Sequence, residues 1–251
     1  MKIFVANLRK NADRRESISS QLSALGLDYE LITGVDGRAL SSSELKAFCG
    51  GASSVKSCGG RAMTAAEIGC ALTHTLMYKK FLESGESHAV FLEDDALILD
   101  GFRDFIRDFD YSFDFLILGY GARTKFEINY TNWIDPVYNK AVISSRFTAG
   151  ISPRKKSFGM VGVVLSRKMA KKIVDLQTPI SFVADDHKAF SRYCTIFHLR
   201  PVVVAEEMSL PSTIIRRRRD NALGLSFRVM ASRMLKGLFG RLRILFIFLR
   251  G

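Results

Sequence analysis

Three consecutive carboxylates, Glu93-Asp94-Asp95, follow the apolar run at 89–92 and form the longest run of acidic residues in the chain. Neighbouring like charges push one another's pKa upward unless a cation sits among them. Hard divalent ions such as Mg²⁺ or Mn²⁺ bind oxygen, commonly through one or two carboxylates plus the phosphates of a substrate. If strand geometry persists through the triplet, Glu93 and Asp95 share one face and Asp94 takes the other. The competing interpretation is a solvated acidic junction between strand and loop. A second pair, Asp185-Asp186, precedes His187. Either carboxylate would act as a general base if it reached a hydroxyl, or would sit as a surface charge at the positive end of a helix. His74 lies seven residues after Glu67, on nearly the same helical face, and is either a buried hydrogen-bonded histidine or a ligand contact. Asn7 and Arg14 lie just past the first predicted strand, where they would meet a ligand at the strand end, or are a turn residue and a solvated helix start. His187 and His198 are further candidate metal ligands. Aromatics between 120 and 157 (Tyr120, Tyr130, Trp133, Tyr138, with Arg123) would stack on the rings of a ligand or pack a loop.

The elements that must hold these residues alternate between strand and helix. Residues 2–6 form a β-prone run. The apolar spacing of Ile18, Leu22 and Leu25 predicts a helix over 13–25, stopped by Gly26. A strand at 29–32 leads to the turn Gly34-Val35-Asp36-Gly37. The Ser-, Gly- and Cys-rich stretch 41–61 reads as a loop with one helical turn at 43–48. Thr64-Ala65-Ala66-Glu67 fits a capping box and opens a helix to Glu83, closed by Gly85. Strands are predicted at 89–92, 113–118, 160–165, 195–198 and 202–204. Helices are predicted at 167–176, capped by Ser166, and at 182–193. The stretch 120–157 shows no period. Strands alternating with helices predict an α/β fold with a mostly parallel, doubly wound sheet.

Composition narrows the function classes. The 251 residues are 47% apolar and 25% charged, ordinary for a globular protein. Of the net charge of +12, residues 216–251 carry +9 through ten basic residues and one acid, leaving +3 for residues 1–215. A nearly neutral body with a basic tail argues against a surface built for nucleic acid. No run approaches the roughly 18 apolar residues of a membrane span, and the apolar stretch after Lys2 is short for a signal peptide. The four cysteines form no C-x-x-C pair, so reduced thiols are expected; Cys70 and Cys194 each precede a histidine by four residues, outside any zinc-finger pattern.

The tail opens with Arg216-Arg217-Arg218-Arg219. Beyond it, Phe227, Met230, Met234, Leu238, Leu242, Leu245 and Leu249 recur every three or four residues as one helical stripe, with Arg228, Arg233, Lys236, Arg243 and Arg250 away from it. A basic amphipathic helix suits the plane of an anionic membrane surface. The alternative is packing on its own domain or a second subunit. The chain thus divides into a body at 1–215, which carries the candidate catalytic residues, and a membrane-associating tail at 216–251.

The segment Ala66-Glu67-Ile68-Gly69-Cys70-Ala71-Leu72-Thr73-His74, followed by Phe91-Leu92-Glu93-Asp94-Asp95, resembles glycosyltransferase family 25, which includes bacterial lipooligosaccharide galactosyltransferases. Asn7-Leu8, Asp13-Arg14, the turn at 34–36 and the apolar strand at 159–165 add to the resemblance, which covers about residues 1–205. It implies a GT-A-like fold and an inverting, metal-dependent transfer of a hexose from a UDP-sugar, with UDP-galactose first and UDP-glucose as the rival donor. It implies that Glu93 and Asp95 bind Mn²⁺ or Mg²⁺, that Asn7, Leu8, Arg14, His74, Glu93 and Asp94 contact the donor, and that Asp185 or Asp186 is the base. The acceptor would be a glycolipid or oligosaccharide of lipooligosaccharide or lipopolysaccharide type, reached by a β-galactosyltransferase at the cytoplasmic face of the inner membrane. Competing readings are a basic nucleic-acid-binding protein and a metal-dependent phosphohydrolase.

Overall fold

The computed structural model describes residues 1–52, 55, 60–110, 112–121, 128–129, 132, 136–153, 159–207, 235 and 237–242. In chain order the strands are β1 (Lys2–Asn7), β2 (Glu30–Thr33), β3 (His88–Glu93), β4 (Ala96–Ile98), β5 (Phe115–Ile117), β6 (Tyr138–Val142), β7 (Thr148–Ile151), β8 (Gly162–Ser166), β9 (Ile196–Arg200) and β10 (Val204–Glu206). The helices are α1 (Ala12–Ala24), α2 (Ser42–Phe48), α3 (Ala65–Glu83), α4 (Phe102–Asp108), α5 (Arg167–Leu176) and α6 (His187–Phe190). Eight strands form one sheet in the order β2-β1-β3-β8-β5-β9-β7-β6, and β4 pairs with β10 in a two-stranded sheet. Strands β2, β1 and β3 pair in parallel, as do β5 and β9. Only β8 and β7 run antiparallel to both of their neighbours. The other six strands of that sheet therefore point one way, the mostly parallel α/β arrangement expected.

Alternation along the central strands builds a core on each side. Ile3 and Val5 of β1, with Val90 and Leu92 of β3, pack against Ile18 and Leu22 of α1 and Phe102 and Phe105 of α4. Phe4, Ala89 and Phe91 face the other way, onto Met77, Tyr78 and Phe81 of α3 and Met169 and Ile173 of α5. A strand covered on both faces reads as a continuous apolar run, which is why 89–92 stands out in the sequence. At the start of α3, the Thr64 hydroxyl accepts from the Glu67 amide and the Glu67 carboxylate accepts from the Thr64 amide. Further along this helix a glycine is required: a Cβ on Gly69 would lie 2.4 Å from the Gly37 nitrogen and 2.6 Å from the Val35 oxygen. Gly69→Ala is expected to force the 34–37 turn away from α3 and to destabilise the fold by about 1–3 kcal/mol, read from urea unfolding.

Several elements differ from the sequence-based expectation. The structure adds β4 and α4, and the hairpin β6–β7 occupies part of the stretch that shows no period. The helix expected over 182–193 is confined to the four residues of α6. Of the tail, only residue 235 and the helical residues 237–242 are described. There Leu235, Leu238, Phe239 and Leu242 are exposed, while Gly240 lies so close to Pro136 that a Cβ would approach its ring to 3.1 Å. The Arg216–Arg219 run and the remaining stripe residues, together with Cys58, Arg123, Tyr130 and Trp133, lie outside the described residues. Among the described residues, no helix is long and apolar enough to cross a membrane.

Candidate active site

The carboxyl ends of β1 and β3 lie side by side, with Ala6 opposite Glu93. Open α/β sheets place their ligand crevice outside such strand ends. Asn7, the last residue of β1, donates from Nδ2 to Asp94 Oδ2 at 2.9 Å and to the Asn11 carbonyl at 3.1 Å. Asn11 precedes α1 without a side-chain capping bond. Its amide instead reaches Asp94 Oδ2 at 3.3 Å. From the first turn of α1, Arg14 Nη1 donates to Asp94 Oδ1 at 2.7 Å and lies 3.1 Å from Asp95 Oδ2. Burial opposes the charge on Arg14, but Asp95 and Asp94 together hold its pKa above the ordinary value. The Leu8 carbonyl accepts from the Asn11 amide at 2.8 Å, and the Leu8 side chain stands beside Gly34.

The expected alternation across the triplet does not occur. Strand β3 ends at Glu93 and the chain turns through Asp94 and Asp95 into β4, so Arg14 contacts both aspartates. Glu93 faces α3 instead, where its Oε1 is 3.4 Å from His74 Nε2. Asp95 is pinned by its own carbonyl, which accepts from the Glu207 amide at 2.7 Å. Its Oδ1 is buried with no hydrogen-bond partner among the described residues. Burial, and next the charge of Glu93, push the Asp95 carboxyl up to about 7, with Arg14 pulling the other way. Asp95 thus offers one unclaimed buried oxygen within the electrostatic reach of Glu93, and carboxylate oxygens of this kind suit a hard divalent cation.

Arg14 is the counter-charge that keeps this corner folded. Arg14→Ala would leave Asp94 and Asp95 buried without their cation, and is expected to cost about 3–5 kcal/mol of folding stability in denaturant titration. Arg14→Lys, with a point charge in place of the planar fork, should recover only part of that loss.

The two candidate bases have different surroundings. Asp186 caps α6, its Oδ1 accepting from the Ala189 amide at 3.1 Å. Asp185 is half-buried and accepts from the Gly159 amide at 3.2 Å. Burial raises its pKa first of all; the Gly159 bond opposes this, the Glu93 charge adds to it and His74 opposes it. Gly159 has φ +102, a conformation that side chains rarely adopt. The structure thus brings Asp185 into the electrostatic reach of Glu93 and His74 and gives Asp186 a capping role. His187 and His198 sit elsewhere: His187 is edge-on to Phe115 at 5.9 Å, and His198 stacks on Tyr120 at 5.6 Å and shares a hydrogen bond with its hydroxyl.

Three participants are not evident from residue type alone. Asn11 completes the Asp94 network. Tyr78, one helical turn beyond His74, has its hydroxyl 3.1 Å from His74 Nδ1. Cys70, one turn before His74, places its sulfur near both His74 and Glu93; its spacing to His74 was the only signal in the sequence. Burial pushes the Cys70 thiol well above its ordinary pKa, and the charges of Glu93, Asp185 and Asp95 push the same way.

Comparison with known proteins adds a family. Residues 1–188 match the family model described as glycosyltransferase family 25 (LPS biosynthesis protein). A glycosyltransferase 25 family member of Aedes aegypti is 34% identical over 100 residues, which are 37% of this chain and 16% of the relative. Mouse procollagen galactosyltransferase 2 is 30% identical over 101 residues, 38% of this chain and 15% of the relative. A rat protein named as a probable inactive family member 3 is 32% identical over 105 residues, 40% and 18% of the two chains. The matched region spans less than a fifth of the length of each of these relatives.

Proposed function

Since the chain belongs to glycosyltransferase family 25, we propose that it is an inverting, metal-dependent hexosyltransferase acting on a UDP-sugar donor and a lipooligosaccharide or lipopolysaccharide acceptor. The observation that carries this is the buried, unclaimed Asp95 Oδ1, on a carboxyl that feels the charge of Glu93, which also acts on Asp185. Galactose is the sugar of choice, supported by the relative named a procollagen galactosyltransferase, and the family description supports the acceptor class. UDP-glucose, which differs at one hydroxyl's orientation, is the rival donor.

Glu93 and Asp95 would hold Mn²⁺ or Mg²⁺. When bound, such an ion neutralises negative charge that grows on a leaving diphosphate. The chain supplies the rest. Arg14, Asn7 and Asn11 clamp Asp94, which fixes the turn that aims Asp95. Negative groups near the anomeric carbon favour its oxocarbenium-like transition state. Asp185 takes the proton from the acceptor hydroxyl on the face opposite the leaving group, and its raised pKa suits a base that must bind that proton. His74 is held by Tyr78 and Glu93 and lines the donor side of the corner.

The test is UDP release from UDP-galactose and UDP-glucose with Mn²⁺, with and without lipooligosaccharide acceptor. Release that requires acceptor supports a transferase. Acceptor-independent release of phosphate or nucleotide would mark a phosphohydrolase instead.

The same proposal assigns the tail to an anionic membrane surface, the cytoplasmic face of the inner membrane, where a lipid-linked acceptor would be displayed. Its charge of +9 and the exposed Leu235, Leu238, Phe239 and Leu242 support this reading. Basic residues at such a surface contribute about 1 kcal/mol each at low salt. A chain ending at Ile215 is therefore expected to stay in the supernatant when anionic vesicles are pelleted, while the full chain sediments with them. Equal sedimentation of both would remove the tail as anchor.

A further inference from the structure

We propose that Cys70, His74 and Glu93 form a site for a borderline-soft divalent ion of the zinc class, different in chemistry from the oxygen-lined corner at Asp95. Cys70 and His74 lie four residues apart on α3, so both project from one face of the helix. Glu93 reaches them from the end of β3. One ligand atom from each residue lies within 4.8 Å of the other two.

One edge of the cluster already has the length a tetrahedral ion requires. Zinc-to-nitrogen and zinc-to-oxygen bonds of about 2.1 Å place two such ligand atoms about 3.4 Å apart along a tetrahedral edge. His74 Nε2 and Glu93 Oε1 are 3.4 Å apart. The other ring nitrogen of His74 is engaged by the Tyr78 hydroxyl at 3.1 Å. Metal-bound histidines are commonly held in this way, with the outer hydrogen bond fixing ring orientation and tautomer. Here it would place the ring proton on Nδ1 and leave the Nε2 lone pair facing Glu93.

The donor set selects the ion. Thiolate and imidazole favour zinc-class metals, whereas Mg²⁺ and Mn²⁺ favour carboxylate, carbonyl and water. Three protein ligands leave a fourth position for water. As the sulfur–metal bond forms, the Cys70 thiol releases its proton to solvent. Glu93 is common to this site and to the reaction corner, so an ion held here draws Glu93 away from Asp95. That last consequence rests on the transferase reading; the binding itself does not.

Titrating the full-length protein with Co²⁺ as a spectroscopic probe tests the site. One equivalent should produce a thiolate-to-cobalt charge-transfer band with the strong visible absorption of a tetrahedral centre, and Zn²⁺ should displace it. Cys70→Ser should abolish the charge-transfer band while far-ultraviolet circular dichroism stays that of the parent. His74→Gln should keep the band but weaken binding at least about tenfold. This second variant decides the matter if Cys70→Ser does not fold. The absence of a band in the parent, its survival in Cys70→Ser, or unchanged affinity in His74→Gln would each overturn the proposal. A cobalt band in a protein without UDP-sugar activity would leave this site standing and defeat the transferase reading, and the reverse result would do the opposite.

Discussion

Asp95→Asn is expected to lower sugar transfer by on the order of 100-fold or more, because loss even of outer-shell support for a metal costs about 10–100-fold. The substitution removes the one buried carboxylate oxygen at the corner that has no partner among the described residues, while an amide preserves side-chain volume. The same variant has a signature in stability that needs no substrate. Burial, followed by the Glu93 charge, raises the Asp95 pKa from 3.8 to about 7. The folded protein therefore binds this proton more tightly than the unfolded chain. The stabilisation is complete below about pH 4 and is lost as pH climbs through about 7. The melting temperature of the parent relative to Asp95→Asn should fall between pH 5 and pH 8. Adding Mn²⁺ at pH 8 should restore the parent and leave the variant unmoved. Parallel pH profiles, with or without the ion, would contradict this account of Asp95.

The second large effect is expected at Asp185. Removing a positioned general base costs about 10²- to 10⁴-fold, so Asp185→Asn should reduce kcat on that scale while donor binding, read by calorimetry with UDP, changes little. The raised pKa of Asp185 predicts that the acidic limb of the rate profile lies above the usual carboxylate range and becomes less steep in the variant, where Asp95 still titrates. Asp186 supplies the contrast. Asn is as good a helix cap as Asp, so Asp186→Asn should leave transfer intact, and Asp186→Ala should cost about 1 kcal/mol of stability through the lost cap. A severe activity loss confined to Asp186→Asn would reverse the assignment of the base.

What the sequence disclosed follows from how each element earns its stability. Helix α3 was legible to its ends because a local capping box opens it and Gly85, at φ +77, follows it. The greasy strand β3 was legible because both its faces are covered. The hairpin β6–β7 was not: β6 contains exposed residues and a register shift between Tyr138 and Ala141, with Asn139 at φ +48, so it shows no clean alternation. Helix α4 was missed because its seven residues follow Gly101 without a side-chain cap. At the site, the carboxylates were visible as a run of charge, and Asn7 and Arg14 as flanking polar residues. Their meeting at Asp94 was not visible, since it spans 80 positions from Arg14 and 87 from Asn7. The split of Asp94 and Asp95 from Glu93 likewise follows from the turn after β3 and leaves no trace in residue types.

If Glu93 and Asp95 hold the ion that serves the sugar donor, anomalous scattering from crystals soaked with manganese and UDP will locate it. A manganese peak is expected against the Asp95 and Glu93 carboxylates, in crystals that also hold the nucleotide. Bound nucleotide with the metal peak elsewhere, and both carboxylates uncoordinated, would contradict this assignment.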